Sequence, residues 1–282
     1  MTVCYTLESF NDAISCLPKN CSIGFIPTMG ALHQGHISLV QKAKEYTNHI
    51  VVSIFVNPTQ FNNTNDLASY PRTVQEDCNK LEEAGVSIVF IPSVKEIYPH
   101  KDERVFDLAG LDKTGEGPSR PGHFNGVVQV VSRLFDIVKP SFAFFGQKDF
   151  QQLAIIKYIT TEFNYPIEII ACPTMRESDG LAMSSRNMLL TPEHRAAAPL
   201  IFKTITKAAQ MVSAQNLLKP NELSHWVTSI INENTLLKVE YIQIVDACTL
   251  QLVESWEDSQ TIQLCTAVQA GSVRLIDNIK LK

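Results

Sequence analysis

The chain has 282 residues and a formal net charge of −5, from 24 Lys plus Arg against 29 Asp plus Glu. That length buries a sizeable core as one large domain or two smaller ones, and the mildly acidic balance argues against an extended nucleic-acid surface. The seven cysteines have no CxxC spacing and read as reduced thiols. With no basic segment ahead of an apolar core at the N-terminus and no apolar run of bilayer length, a soluble cytoplasmic protein is expected.

Leu7, Phe10, Ile14 and Leu17 recur at helical spacing and predict a first helix within residues 1–20, ended by Pro18. Residues 22–26 read as a buried strand, and Ile37, Val40, Ala43 and Tyr46 mark an amphipathic helix downstream. Between them lies PTMGALHQGH, residues 27–36, which is therefore a strand-to-helix loop. Gly30 and Gly35 permit backbone conformations closed to other residues, and Gly35 stands where a helix N-terminus presents unpaired N–H groups. Such a loop is a phosphate cradle. His33 and His36 are one turn apart, so both rings would face the same phosphates and stabilise developing negative charge. A histidine pair at this spacing can also begin a zinc site, but no third ligand of the usual spacing follows locally.

Residues 50–56 form a β-branched run too continuous for a strand with one wet face and predict a central parallel strand. It stops at Asn57, Pro58, Thr59, Gln60 and Phe61. In an open α/β sheet ligands collect outside the carboxyl ends of the strands, so this loop and the histidine loop should face one crevice. Gln60, whose amide both donates and accepts, is a substrate-side candidate. The polar residues 62–66 and Tyr70, Pro71, Arg72 and Thr73 lead into a helix over 74–84 that Gly85 ends, a segment suited to a lid. Glu76 and Asp77 at its start suit the helix dipole.

Residues 86–91 predict a further buried strand. Arg120 and His123 precede a well-buried helix carrying Phe124, Val127, Val131, Leu134 and Val138. Residues 142–145 are another strand, after which Gly146, Gln147, Lys148 and Asp149 turn the chain into a helix with Leu153, Ile156, Ile159 and Phe163. Lys148 brings a mobile positive charge for phosphates, and Asp149 either binds nucleotide or caps the helix. Residues 167–171 predict a last central strand, with Met175 and Arg176 beyond its carboxyl end. Met183, Ser184, Ser185 and Arg186 then form a loop able to close over a triphosphate. Lys148, Arg120, Arg133 and Arg186 are expected to build a positive pocket for a small anionic partner.

From residue 191 the pattern changes to helices over 196–212 and 222–233 and strands over 239–245 and 261–268, an α+β texture. The expected architecture is α/β. A Rossmann-like parallel-sheet domain over 1–177 is expected to bind nucleotide, and a smaller C-terminal α+β domain over 178–282 to cover the nucleotide cleft.

HQGH, His33 to His36, resembles the HxGH signature of the nucleotidylyltransferase superfamily. With FVNPTQF (55–61), SRPGHFNGV (119–127), FGQKDFQQL (145–153) and DGLAMSSRN (179–187), the chain more narrowly resembles the pantothenate synthetase family, the motifs running in family order over most of the first 190 residues. Residues 183–186 resemble the KMSKS-type loop of the same superfamily. The resemblance implies an ATP-dependent ligase joining (R)-pantoate to β-alanine through a pantoyl adenylate, with Mg2+ accompanying ATP and a homodimeric assembly. It implies ATP contacts from Met29, Gly30, Ala31, Leu32, His33, Gln34, Gly35 and His36, from Gly146, Gln147, Lys148 and Asp149, and from Met175, Met183, Ser184, Ser185 and Arg186. It makes His36 the proton donor, supported by His33, Lys148 and Arg186. Pantoate would meet Met29, Asn57, Gln60 and Gln152, β-alanine would meet Gln60, and Asp77 is the magnesium candidate, although sequence does not choose firmly between it and Glu76. A class I aminoacyl-tRNA synthetase-like enzyme shares HxGH, but the acidic composition and the lack of an RNA-binding appendage argue against it. A non-enzymatic nucleotide sensor would be expected to have lost a histidine, Lys148 or Arg186, and all four are present.

Overall fold

In the computed structural model, which describes residues 1–61, 67–68, 70–214 and 218–282, the apolar runs of the first half become parallel strands. They are β1 (Thr2–Cys4), β2 (Ile23–Thr28), β3 (His49–Ile54), β4 (Ile88–Phe90), β5 (Phe142–Gly146) and β6 (Glu168–Cys172). They form one six-stranded sheet in the order β1-β4-β3-β2-β5-β6, every pairing parallel. β2 and β3 are matched residue for residue from Ile23 against His49 to Thr28 against Ile54. The polar stretch 62–66, expected as a turn, lies outside the described residues.

The expected α/β class holds, with three local differences in the sheets. β1 precedes the first helix, Leu7–Ser15, where only a helix was expected. Three residues are too few to show a period, and they are held by pairing with β4, Thr2 opposite Ile88. β6, expected to be central, is bonded only to β5 at the sheet edge. Its burial reflects this: Ile170 and Cys172 are buried while Glu168 is exposed, the alternation of a strand with one covered face. The antiparallel sheet of β7 (Leu237–Asp246), β8 (Ile262–Ala270) and β9 (Val273–Lys280) has one more strand than the sequence reading found. A tight hairpin joins β8 to β9, Ala270 opposite Val273, with Gly271 in the left-handed region at φ +64°.

Helix ends follow local chemistry. Val74–Glu83 carries Glu76 and Asp77 in its first turn and is followed by Gly85 at φ +76°, a left-handed stop. The helix expected over 196–212 is two helices, Pro192–Ala197 and Leu200–Ser213, because Pro199 lies between them. No described helix is long and apolar enough to cross a membrane.

The chain divides into two compact units. The first comprises Met1–Leu108, Arg120–Gln147 and Ile155–Pro173, and one of its apolar clusters packs Ile26, Leu32, Leu39, Val40, Val52, Leu81, Val89 and Phe144. The second comprises Ala109–Ser119, Lys148–Ala154 and Thr174–Lys282, with a core of Ile201, Ile205, Val227, Ile231, Leu264, Val268 and others.

Candidate active site

β2 is where the strand order reverses, since β3 and β4 lie to one side of it and β5 and β6 to the other. The loop leaving its carboxyl end therefore occupies the topological switch point, where open α/β sheets bind ligands. Thr28 closes β2 by donating its hydroxyl to Ser53 O (2.7 Å) and accepting from Gly30 N (3.2 Å). Gly30 and Ala31 are both left-handed, at φ +82° and +50°. The chain then reaches His33, the extended N-cap of the helix Gln34–Lys44.

The two histidines cap this helix reciprocally. Gly35 N–H donates to His33 Nδ1 (3.1 Å), and His33 N–H donates to His36 Nδ1 (3.2 Å). A backbone N–H can only donate, so both Nδ1 atoms are acceptors and each ring carries its proton on Nε2. The rings lie with centroids 4.2 Å apart, tilted by 43°. Met29, Gly30, Ala31 and Leu32 thus form the approach to the cap, and Gln34, Gly35 and His36 the first turn of the helix. Lys42 and Lys44 in its last turn complement the other end of the dipole.

A second cluster of the same unit surrounds Gln60, at the end of the one-turn 3₁₀ helix Pro58–Gln60 that follows β3. Its amide nitrogen donates to Met29 Sδ (3.0 Å), so the two expected pantoate residues Met29 and Gln60 are brought together. Asn57 is only 1% exposed. Its Nδ2 donates to Gly126 O (3.0 Å) and Gln60 Oε1 (3.3 Å), and its Oδ1 accepts from Tyr98 Oη (3.1 Å) and Thr59 Oγ1 (3.1 Å). Asn57, an expected pantoate contact, has its amide engaged by the protein on both sides, because a buried amide must be satisfied there. It orients Gln60.

His123, read from sequence as lying just before a helix, is the buried first residue of the helix His123–Val138. Its Nδ1 lies 2.7 Å from Gln60 O, and because a carbonyl only accepts, Nδ1 is the donor. Gly126 lets this helix approach: a Cβ there would stand 2.3 Å from Thr59 O and 2.7 Å from Gln60 N. Tyr98, His123 and Gly126 were missed as supports because the residues they hold are distant in sequence. The one local signal was the HFNGV run, with a glycine inside a helical pattern.

Asp77, the magnesium candidate, is fully buried. Its oxygens accept from Ala31 N (2.9 Å), Leu32 N (2.8 Å) and Thr73 Oγ1 (3.2 Å). Among the described residues no group of three His, Cys, Asp or Glu side chains gathers as a metal site. Arg133, expected in the positive pocket, stands 3.9 Å from Asp102, a carboxylate that also carries a forked bond from Arg104.

In the second unit, Lys148 and Asp149 belong to a 3₁₀ turn, Gln147–Asp149, that follows Gly146 at the end of β5. Lys148 Nζ is 3.9 Å from Asp149 Oδ1, and its carbonyl accepts from Asn278 Nδ2 (2.9 Å). Gln152 is half-buried in the helix Phe150–Glu162, while its neighbour Gln151, overlooked in the sequence, is buried and grips Leu111 O (2.7 Å) and Thr114 O (2.9 Å). Met183 N–H donates to Met175 O (2.9 Å), which brings these two expected ATP residues together. Ser184 caps the 3₁₀ turn Ser185–Leu189 by accepting from Arg186 N (3.3 Å). Arg176, on the same stretch, forks onto Asp277 (2.7 and 2.9 Å) and stacks 3.6 Å over Phe202. That anchors the base of the loop.

The model of the Pantoate-beta-alanine ligase family matches residues 2–280. The chain belongs to that family. Relatives named pantothenate synthetase include that of Bacteroides thetaiotaomicron, 48% identical over 283 residues covering 100% of this chain and 99% of the relative. That of Porphyromonas gingivalis is 49% identical over 92% of this chain and 91% of its own length. Among solved structures, the pantothenate synthetase of Thermus thermophilus superposes with a TM-score of 0.92 at 36% identity, covering 100% of this chain and 99% of its own. The pantoate-beta-alanine ligase of Francisella tularensis, solved with Beta-gamma ATP and Beta-alanine, gives 0.84 at 38% identity, covering 100% and 98%. The ligase family accordingly accounts for the whole chain, both sheets included.

Proposed function

We propose that this protein condenses (R)-pantoate with β-alanine, converting ATP to AMP and diphosphate and releasing pantothenate. The observation that carries the reading is the reciprocal histidine cap at the switch point of the sheet, with the Met29–Gln60 pair in the same unit. A pantoate carboxylate oxygen attacks the α-phosphorus, and the bond to the diphosphate oxygen breaks. The amine of β-alanine then attacks the acyl carbon of the resulting pantoyl adenylate; the acyl–oxygen bond breaks, AMP leaves and the nitrogen loses its proton. His36 is the proton donor. Its Nδ1 accepts a backbone bond, so the proton it can deliver is the one on Nε2.

His33 donates to the phosphates in the same way, and Lys148 and Arg186 add positive charge for the leaving diphosphate. Gln60, oriented by Asn57, binds pantoate and the incoming amine; Met29, Asn57 and Gln152 complete the pantoate contacts. The remaining ATP contacts are those expected at residues 29–36, Gly146, Gln147, Asp149, Met175, Met183, Ser184 and Ser185. Mg2+ enters as the counter-ion of ATP and so as part of the substrate. The engaged carboxylate of Asp77 does not fit a direct ligand of that ion. A cytoplasmic homodimer belongs to the same proposal, and the seven thiols, none of them paired, suit a reducing compartment.

The experiment is rapid quench of enzyme with ATP and pantoate alone. One equivalent of diphosphate per site is expected before β-alanine is added, with no change in intact-protein mass, since the activated acyl group is on AMP and not on a side chain. Absence of the burst would favour a concerted three-substrate reaction. Binding of ATP without any diphosphate, with or without β-alanine, would leave a nucleotide sensor.

A further inference from the structure

The turn before the catalytic histidines is held by a single helix, Val74–Glu83, from both its donor and its acceptor side. Gly30 and Ala31 are consecutive left-handed residues, and in the turn they make the N–H groups of Ala31 and Leu32 converge on one anion, as successive amides in a turn can do. Here the anion is the protein's own. Ala31 N–H donates to Asp77 Oδ2 (2.9 Å) and Leu32 N–H to Asp77 Oδ1 (2.8 Å), while Thr73 Oγ1 donates to the same Oδ1 (3.2 Å). Alanine disfavours the left-handed region, so the conformation depends on the partner that its N–H groups meet. One turn further along the helix, Lys80 Nζ donates to Leu32 O (2.8 Å). The next residue is His33, whose N–H and ring nitrogen open the following helix together with His36.

We infer that Asp77 is a positioning residue, which with Lys80 clamps the Ala31–Leu32 turn and thereby fixes His33 and His36, and that it is not a ligand of magnesium. The inference rests on the functional reading above only for the consequence at the histidines. Oδ1 already accepts two hydrogen bonds and Oδ2 one, so a cation here would compete with the Ala31 and Leu32 N–H groups for the charge of one carboxylate that has a single acceptor direction to spare. An asparagine at this position accepts from one of the two N–H groups and presents its own NH2 to the other, so the turn loses its shape while side-chain volume is conserved.

The test compares Asp77→Asn and Lys80→Met with wild type, measuring kcat, the KM for ATP and pantoate, and the Mg2+ concentration giving half the maximal rate. Ala31 and Leu32 amides are followed by selective 15N labelling. For Asp77→Asn, kcat should fall about 100-fold, the scale for misplaced catalytic groups. The Mg2+ requirement should be unchanged, excess Mg2+ or Mn2+ should give no rescue, and both amide protons should shift. Lys80→Met should lower kcat severalfold in the same manner, and an ammonium, with no lone pair, cannot be a metal ligand, so this variant judges the clamp even if Asp77→Asn fails to fold. A half-saturating Mg2+ concentration raised by about tenfold or more, the scale seen when metal-site groups are lost, with kcat restored at high Mg2+, would overturn the inference. So would unshifted amides, or wild-type kcat in Lys80→Met. If wild type itself released no diphosphate, the functional reading would fall, and the amide shifts would still decide the clamp.

Discussion

The proposed mechanism asks two things of the one His36 ring. Its Nδ1 accepts the His33 N–H and so completes the helix cap, while in the proposed mechanism the proton on Nε2 is the one delivered. These roles separate by substitution. His36→Ala loses both, with about 1 kcal/mol of stability for the cap and a rate loss of roughly 100- to 1000-fold for one missing transition-state donor. His36→Asn sets an amide oxygen where Nδ1 was and should keep the melting temperature near wild type, yet form adenylate no faster than His36→Ala. Thermal melts and single-turnover diphosphate release test this, and normal turnover by folded His36→Asn would remove the residue from the mechanism. The strand-to-helix loop with its two histidines was legible because both residues and the glycine between them lie within four positions. The acceptor role of Asp77 was not, because its partners Ala31 and Leu32 are 46 and 45 residues away, and an acid in a helix's first turn has a sufficient local explanation.

At the scale of elements, the surroundings of Gln60, the proposed pantoate residue, depend on how closely the helix His123–Val138 approaches the 3₁₀ turn Pro58–Gln60. Two effects compete in Gly126→Ala. Helix propensity favours alanine by about 1 kcal/mol, but the new Cβ would meet Thr59 O at 2.3 Å and the Thr59 carbonyl carbon at 2.5 Å. Both are backbone atoms that cannot turn aside, and overpacking of this kind costs about 1–3 kcal/mol or more. The clash should win. Gly126→Ala is expected to lower the melting temperature and raise the KM for pantoate more than that for ATP, because Asn57 bonds the Gly126 carbonyl and in turn orients Gln60. Equal effects on both KM values would mean that the contact does not serve the pantoate side. The existence of this helix was plain from its apolar spacing, and its burial on nearly every face agrees. Its contact with the 3₁₀ turn was not readable, since periodicity tells which face is covered and not by what.

For the whole molecule, stability should form a plateau between two groups of titrating residues. The Arg104 guanidinium holds the Asp102 carboxyl below its ordinary range. That contribution is complete above the ordinary aspartate value of about 4 and is lost as pH falls through the depressed one. On the alkaline side burial pushes the Cys172 thiol from 9.0 up to about 11, and burial with the Asp136 bond pushes Tyr165 from 10.0 up to about 12. Their neutral forms favour the fold, so that contribution is complete below pH 9.0 and falls between there and about 12. Melting temperatures from pH 3 to 11 should trace both limbs. Asp102→Asn should flatten the acid limb and lower the plateau by about 1 kcal/mol, or roughly 2–4 °C, a small cost because Arg104 is part exposed. An unchanged acid limb would assign acid unfolding to other carboxylates.

By itself the sequence determined the parallel α/β order, the histidine loop between β2 and its helix, and the motif set of the ligase family, because each depends on residues adjacent in the chain or one period apart. Tertiary structure decided the rest. It set β6 at the edge and added β1 and β9, since pairing and not propensity holds them. It engaged the Asn57 amide with Gln60 and Gly126, and gave the turn at Gly30 and Ala31 to Asp77. The physical reason is common to these cases: a buried polar group takes whichever partner the fold brings within 3 Å or so, and distance along the chain carries no record of that choice.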